Sequence, residues 1–229
     1  MVGILDIGNT NFHCGKFEKS SLKEKGIVTD PTEVKKFFSG MRQILCISVV
    51  PAKKKLIENI LDYGMISFPS GLVEIDYKSK PGEDRLANGL GVYDLIGLPA
   101  IVVDCGSAIT IDSYSKPSDS SFLVKFEGGA IMPGLKQYYF SVSDAGYLLP
   151  SVQPSFWDMP GKSTEEGIKL GAFGSLVGGI KEILRILNYK DKHLIFTGGD
   201  GKLFLEYFDG QYEQSLTLKG GLVAYNEIS

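Results

Sequence analysis

One short pattern occurs twice in this chain, and the pair constrains its fold more than any other feature. Ile4-Leu5-Asp6-Ile7-Gly8-Asn9-Thr10-Asn11-Phe12-His13 is an apolar run that reaches one Asp, passes a Gly and small polar residues, and resumes apolar alternation through Phe12 and Phe17. Ile101-Val102-Val103-Asp104-Cys105-Gly106-Ser107-Ala108-Ile109-Thr110-Ile111-Asp112 repeats the design, with Asp104 standing where Asp6 stands. Each copy reads as a β-hairpin whose first strand ends in a carboxylate. An internal repeat at this distance predicts two similar lobes of about 100–130 residues, each near the usual domain size. The expected division is 1–98 and 99–229.

The turn between the strands has its own chemistry. Successive backbone N–H groups facing a concavity attract anions, and Gly8 lets the chain approach a phosphate with no Cβ in the way. Asp6, at the rim, can hold Mg²⁺, directly or through water, because that ion binds through one or two carboxylates plus substrate phosphates. The same residues can also close an ordinary hairpin. The second copy tips the reading toward phosphate.

Composition removes several function classes. Of 229 residues, 43% are hydrophobic and 22% charged, so a core can form without disulfides or structural metals. The net charge is −3 and the Lys and Arg residues are scattered, which leaves no footprint for nucleic acid. The one cationic run, Lys53-Lys54-Lys55, is expected at the solvated start of a helix. No apolar segment approaches the roughly 20 residues needed to span a bilayer. The chain enters a strand at once, so no signal peptide is expected. Cys14, Cys46 and Cys105 lie in apolar runs without Cys-x-x-Cys spacing and read as buried thiols in a reducing compartment. With only His13 and His193 present, the chemistry should rest on carboxylates and backbone amides.

The remaining segments are those of a layered α/β chain. Asp30-Pro31-Thr32-Glu33 predicts a capped helix, with Asp30 as N-cap and Glu33 completing a capping box. Residues 44–50 read as a buried strand and 53–61 as a helix. After the loop Pro81-Gly82-Glu83, a helix is expected from about Asp84, with Leu86, Leu90, Tyr93 and Gly97 on one face and Gly89 and Gly91 permitting close packing. Asp84 and Arg85 then face whatever lies before that helix, or else Asp84 is a cap beside a solvated Arg85. Residues 113–121 read as a hairpin loop and 122–126 as a strand. Residues 127–135 read as glycine-rich turns around a short strand, leading into a helix over 136–145. Ser163 and Glu166 predict a capping box opening a helix to about Leu187, with Thr164 in its first turn as a ligand contact or one more helix-start hydroxyl. Gly167, Gly171, Gly174 and Gly178 share one face of that helix. Each costs about 1 kcal/mol against Ala, so another element is expected to pack there, within the chain in preference to a second subunit. A strand over 194–197, a Gly-Gly turn, a short helix over 201–208 and a closing helix from Gly220 complete the reading.

Together these motifs resemble the superfamily of sugar kinases, actin and heat-shock chaperone ATPases, and within it the type III pantothenate kinases, over nearly the whole chain. The matching segments are Asp6-Ile7-Gly8-Asn9-Thr10, Pro81-Gly82-Glu83-Asp84-Arg85 with Asn88, Asp104-Cys105-Gly106-Ser107-Ala108, Gly129-Ala130-Ile131-Met132-Pro133-Gly134, Gly161-Lys162-Ser163-Thr164 and Thr197-Gly198-Gly199. The resemblance implies two ribonuclease H-like, actin-like ATPase lobes, each a mixed β-sheet flanked by helices, with the active cleft between them. It implies ATP-dependent phosphorylation of the primary hydroxyl of pantothenate, the first step toward coenzyme A, by a cytoplasmic homodimer.

Position by position, the resemblance makes Asp84 the general base. Tyr77, Gly82, Glu83, Asp84, Arg85 and Thr164 become the pantothenate contacts. Asp6, Ile7, Gly8, Asn9, Thr10, Asn11, Phe12, His13 and Ser107 hold ATP, and Asp104 helps hold a monovalent cation, K⁺ or NH₄⁺. Ser107 replaces the family's usual Thr and keeps its hydroxyl. Glu83 replaces a usually small residue and is expected to raise the pKa of Asp84 by like-charge repulsion. Two other readings share these motifs: a non-catalytic nucleotide-binding regulator on the same fold, and a kinase for another small hydroxy acid or sugar.

Overall fold

The computed structural model describes residues 1–145, 150, 152, 153, 155 and 157–229. The repeat is visible in its strand order. In the first half, β1 (Val2–Ile7), β2 (Phe12–Glu18), β3 (Ser21–Val28), β4 (Gln43–Ser48) and β5 (Gly64–Ser67) form a sheet ordered β3-β2-β1-β4-β5. The first three strands are antiparallel neighbours, while β4 runs parallel to both β1 and β5. After β6 (Val73–Ile75), the second half brings β7 (Ala100–Cys105), β8 (Ala108–Ser115), β9 (Val124–Pro133), β10 (His193–Thr197) and β11 (Gln211–Tyr212). Their order, β9-β8-β7-β10-β11, is the same arrangement used again. A two-residue connection suits the antiparallel neighbours, and the parallel ones need helical crossovers.

Six helices are described: α1 (Pro31–Phe37), α2 (Pro51–Ile60), α3 (Glu83–Leu95), α4 (Leu135–Ala145), α5 (Thr164–Ile186) and α6 (Leu216–Glu227). None is long and apolar enough to cross a membrane. Asp30 caps α1, accepting from the Thr32 backbone N–H and hydroxyl at 2.8 Å each. Ser163 caps α5 by accepting from the Glu166 N–H at 3.2 Å, and the Glu166 carboxylate reaches back to the Lys162 N–H at 2.7 Å. The expected strand, turn and short strand over 122–133 form the single strand β9, and β8 runs on to Ser115 into the expected loop. The short helix after β10 is one 3-10 turn, Gly201–Phe204. On α3, Leu86 and Leu90 are buried as expected, but Tyr93 is 41% exposed and Gly97 lies beyond the helix end.

Two compact units emerge from the contacts, and they interleave along the chain. One comprises 1–99, 114–128 and 215–229; the other comprises 100–113 and 129–214. The first is built on Leu5, Ile7, Phe12, Ile44 and Cys46 beneath α1 and α2. The second is built on Ile101, Val103, Ile111, Phe173, Ile180 and Phe196. All three cysteines are free and buried.

In the first unit α6 lies against α3 at backbone range. A Cβ on Gly220 would collide with the Ala87 carbonyl, and Gly91 sits against the Leu216 carbonyl. The Thr217 hydroxyl donates to Asn88 Oδ1 at 2.8 Å, so the buried amide is used at the same crossing. The glycine face of α5 behaves in the opposite way. No described atom lies within 4 Å of a Cβ built on Gly167, Gly171, Gly174 or Gly178. Among the described residues the contact expected within the chain is not made; the glycine of α5 that meets a neighbour there is Gly179, against Met132.

These two environments predict opposite responses to one methyl group. Gly220→Ala is expected to lower stability by about 1–3 kcal/mol through overpacking. Gly174→Ala is expected to raise it by up to about 1 kcal/mol through helix propensity. Chemical denaturation of the two variants measures both.

Candidate functional site

In the first unit the site is assembled where parallel strands end. The turn after β1 closes on itself through the Gly8 N–H, which donates to the Asn11 carbonyl at 3.0 Å. Asp6 pairs with His13 across the hairpin and with Ile47 on β4. Burial lowers the pKa of His13, helped by the charge of Lys25, so the imidazole is neutral near pH 7. Beside the turn, the Val49 N–H donates to the Ile7 carbonyl at 3.4 Å, which ties the ends of β1 and β4 together.

The start of α3 is fastened to the same place. Gly82 is its N-cap, so Asp84 is not the capping residue. The Ser48 N–H, at the end of β4, donates to Glu83 Oε2 at 3.0 Å. Glu83 thus fills a backbone donor that the strand leaves unpaired at its end, and does so with a charge-assisted bond. Gly82 packs on Val49 and against the Asp84 carboxylate, where a side chain would collide. Cys46 shares this neighbourhood: its pKa is raised to about 12, chiefly by burial, with Lys54 opposing the shift and Glu83 and Asp6 adding to it.

Asp84 and Arg85 have opposite settings. Asp84 Oδ1 accepts from the Arg85 N–H at 2.8 Å. Its pKa is raised, chiefly by burial; the Arg85 N–H and guanidinium oppose the shift, and Glu83 adds only a minor push. The like-charge effect expected from Glu83 has the right sign but is not the main cause. Arg85 is 6% exposed, so it is not a solvated cap neighbour. Its guanidinium lies 5.6 Å from the Tyr77 ring centroid and 5.0 Å from that of Phe126, within the range where a cation is drawn to an aromatic face. The Tyr114 hydroxyl holds the Arg85 carbonyl at 2.6 Å, and Gly89 leaves room for the Tyr114 ring. Tyr77, Gly82, Glu83, Asp84 and Arg85 therefore occupy one neighbourhood in this unit. A carboxylate with a raised pKa beside a desolvated guanidinium can take a proton from a hydroxyl and hold an anionic group next to it.

One participant escaped the sequence reading. Lys53, expected to be solvated, donates from Nζ to the Asn9 carbonyl at 2.7 Å and to the Gly8 carbonyl at 3.3 Å. Lys54 is likewise engaged, with the Ser67 hydroxyl at 2.8 Å. Spacing held no signal for this, because the contact crosses from α2 to a turn 44 residues earlier in the chain.

The second unit repeats the arrangement. Asp104 ends β7 opposite Thr197 of the parallel β10. The turn after it is crowded by backbone: Gly134 sits on the Gly106 and Ser107 carbonyls, and Gly198, at φ +80°, sits against Cys105 and the Asp104 carboxylate. The Asp200 N–H donates to the Cys105 carbonyl at 3.1 Å. Thr164 begins α5 in this unit and is exposed.

No cluster of three or more His, Cys, Asp or Glu side chains suited to a metal occurs among the described residues. The donors present still fit the expected ions. Mg²⁺ needs one carboxylate such as Asp6 when phosphates supply the rest. The Asp104 carboxylate and the Cys105 carbonyl, both against Gly198, are oxygen donors of the kind a hard monovalent cation takes.

Comparison with known proteins adds to this geometry. A family model described as type III pantothenate kinase matches residues 4–186. A type III pantothenate kinase of Thermosipho melanesiensis is 30% identical over 251 aligned positions, covering 98% of each chain. Among solved structures, a Campylobacter jejuni protein described as a Baf family transcriptional activator superposes with a TM-score of 0.67 at 27% identity, covering 99% of this chain and 98% of that one. MreB 5 of Spiroplasma citri bound to AMPPNP, at 12% identity and TM-score 0.50, covers 100% of this chain and 97% of that one and shares the actin-like ATPase fold.

The raised pKa of Asp84 predicts a stability effect. A carboxyl whose folded-state pKa lies above its unfolded value of about 3.9 favours folding below that value and loses this contribution as pH rises through the folded pKa. Asp84→Asn keeps an oxygen for the Arg85 N–H and carries no charge. It should therefore melt higher than wild type at pH 7, with the gap closing toward pH 4, in a series of thermal melts.

Proposed function

Because this chain belongs to the type III pantothenate kinase family, we propose that it transfers the terminal phosphoryl group of ATP to the primary hydroxyl of pantothenate. The product is 4'-phosphopantothenate, and the step opens coenzyme A synthesis. The observation that carries the residue assignment is the Asp84–Arg85 pair, anchored by Glu83 to the end of β4.

In this reading Asp84 orients the acceptor hydroxyl and takes its proton. Phosphoryl transfer proceeds through a loose transition state, so the proton moves late and a carboxylate is base enough. Arg85, packed against Tyr77 and Phe126, holds the pantothenate carboxylate or counters charge on the moving phosphoryl group. Gly82 and Glu83 shape the same loop, and Thr164 completes the substrate contacts. The turn from Asp6 through His13 binds ATP with Ser107. Mg²⁺ at Asp6 would neutralise phosphate charge, and Asp104 would hold K⁺ or NH₄⁺. We assign the repeats 1–98 and 99–229 to the two ATPase-type lobes, and a cytoplasmic homodimer as the working form.

The likeness to the Campylobacter protein described as a transcriptional activator supports a second reading, a nucleotide-binding regulator. The deciding assay is phosphopantothenate formation from pantothenate and ATP with Mg²⁺. The kinase reading expects product, and expects the rate to collapse when both K⁺ and NH₄⁺ are withheld. No product at millimolar ATP would leave the regulator.

The direction of the Asp84 shift also sets the pH profile. The base works only when deprotonated, so kcat/KM should fall on the acid side with a midpoint above the ordinary carboxylate value of about 3.9. A rate that is flat down to that value would remove Asp84 from the role.

A further inference from the structure

Lys53 lies at the phosphate turn in a way the assigned roles do not use. It stands in the first turn of α2 and reaches back to the loop after β1, with Nζ 2.7 Å from the Asn9 carbonyl oxygen, 3.3 Å from that of Gly8 and 5.2 Å from the Phe12 ring centroid. The bland account is a tether between a helix and a loop. Peptide geometry makes it more than that.

Among the described residues Leu98–Pro99 is the one cis peptide bond, so the Gly8–Asn9 and Asn9–Thr10 bonds are trans. In a trans peptide the C=O and the following N–H point in opposite directions. An ammonium that draws the Gly8 and Asn9 carbonyls to one side therefore turns the Asn9 and Thr10 N–H groups to the other. Two successive N–H groups on one side of a turn are the elements of an anion nest. The ammonium also covers two carbonyl oxygens that would repel a polyphosphate and places a positive charge at the turn.

We propose that Lys53 is a positioning residue for ATP: it orients the Gly8–Asn9–Thr10 peptides toward the polyphosphate and supplies positive charge behind them. This rests on the kinase reading for the identity of the ligand and extends it to a residue outside the hairpin. Lys53 acts through the turn and does not touch the reacting atoms. It should therefore affect affinity for the phosphates and leave recognition of the nucleoside and of pantothenate alone.

The test is calorimetric binding of Mg-ATP and of adenosine to wild type, Lys53→Met and Lys53→Arg, with thermal melts to establish folding and steady-state KM values for both substrates. Loss of one charge-assisted hydrogen-bonding group corresponds to roughly a tenfold or greater loss in affinity. Lys53→Met should weaken ATP about tenfold or more, with adenosine affinity and the pantothenate KM within about twofold of wild type, and Lys53→Arg should restore most of the loss. Unchanged ATP affinity in folded Lys53→Met would overturn the proposal. So would an equal loss for ATP and adenosine, which marks a general loosening of the loop. A wild-type protein that binds ATP but makes no phosphopantothenate would sink the kinase reading while leaving the Lys53 comparison readable.

Discussion

The bond from the Ser48 N–H to Glu83 Oε2 is the contact on which the rest of the site depends. A parallel strand that ends exposes backbone donors, and β4 ends beside β1 and the turn that follows it. Glu83 fills one of those donors from the first turn of α3. The next two residues are then fixed: Asp84 is set at the helix start, and Arg85 is directed against Tyr77 and Phe126. The Glu83 side chain thus has a mechanical use. Its charge on Asp84 is a side effect, smaller than that of burial. Ligand sites in open α/β sheets commonly form outside the carboxyl ends of strands, and here one bond brings a helix start to that place.

Duplication was the most legible part of the fold. The two Asp-x-Gly hairpins predicted two similar sheets, and the strand orders β3-β2-β1-β4-β5 and β9-β8-β7-β10-β11 agree with that. Helix starts with side-chain caps, at Asp30 and Ser163, were readable because capping is local chemistry. What could not be read was long-range. The closing helix packs on α3 of the first half, so the compact units interleave, and only the close fit of Gly220 on Ala87 reveals why that helix carries glycines. The four glycines on α5 are the reverse case: a pattern that commonly marks close packing meets none of the described residues. Residues 124–133 carry two glycines yet form one strand, because Gly129 lets β9 pass close to the Ile111 carbonyl.

The site residues divide in the same way. Asp6, Asp84 and Asp104 were found by motif, and each stands at a strand end or a helix start. Lys53 was passed over because a run of three lysines resembles a solvated face, and its meaning appears only once α2 is folded back over the turn. The environment of Arg85 was likewise hidden, since Phe126 comes from a distant strand. Sequence named the charged groups, and burial raised the pKa of Asp84.

The central claim is that Asp84 supplies base chemistry from a position fixed by its neighbours, rather than substrate affinity. The most direct measurement is phosphopantothenate formation by Asp84→Asn at ATP and pantothenate concentrations that calorimetry shows to be saturating for that variant. The account predicts both substrates bound and turnover reduced by about 10²-fold or more, the usual size of a general-base contribution. Turnover equal to wild type with both substrates bound would contradict it.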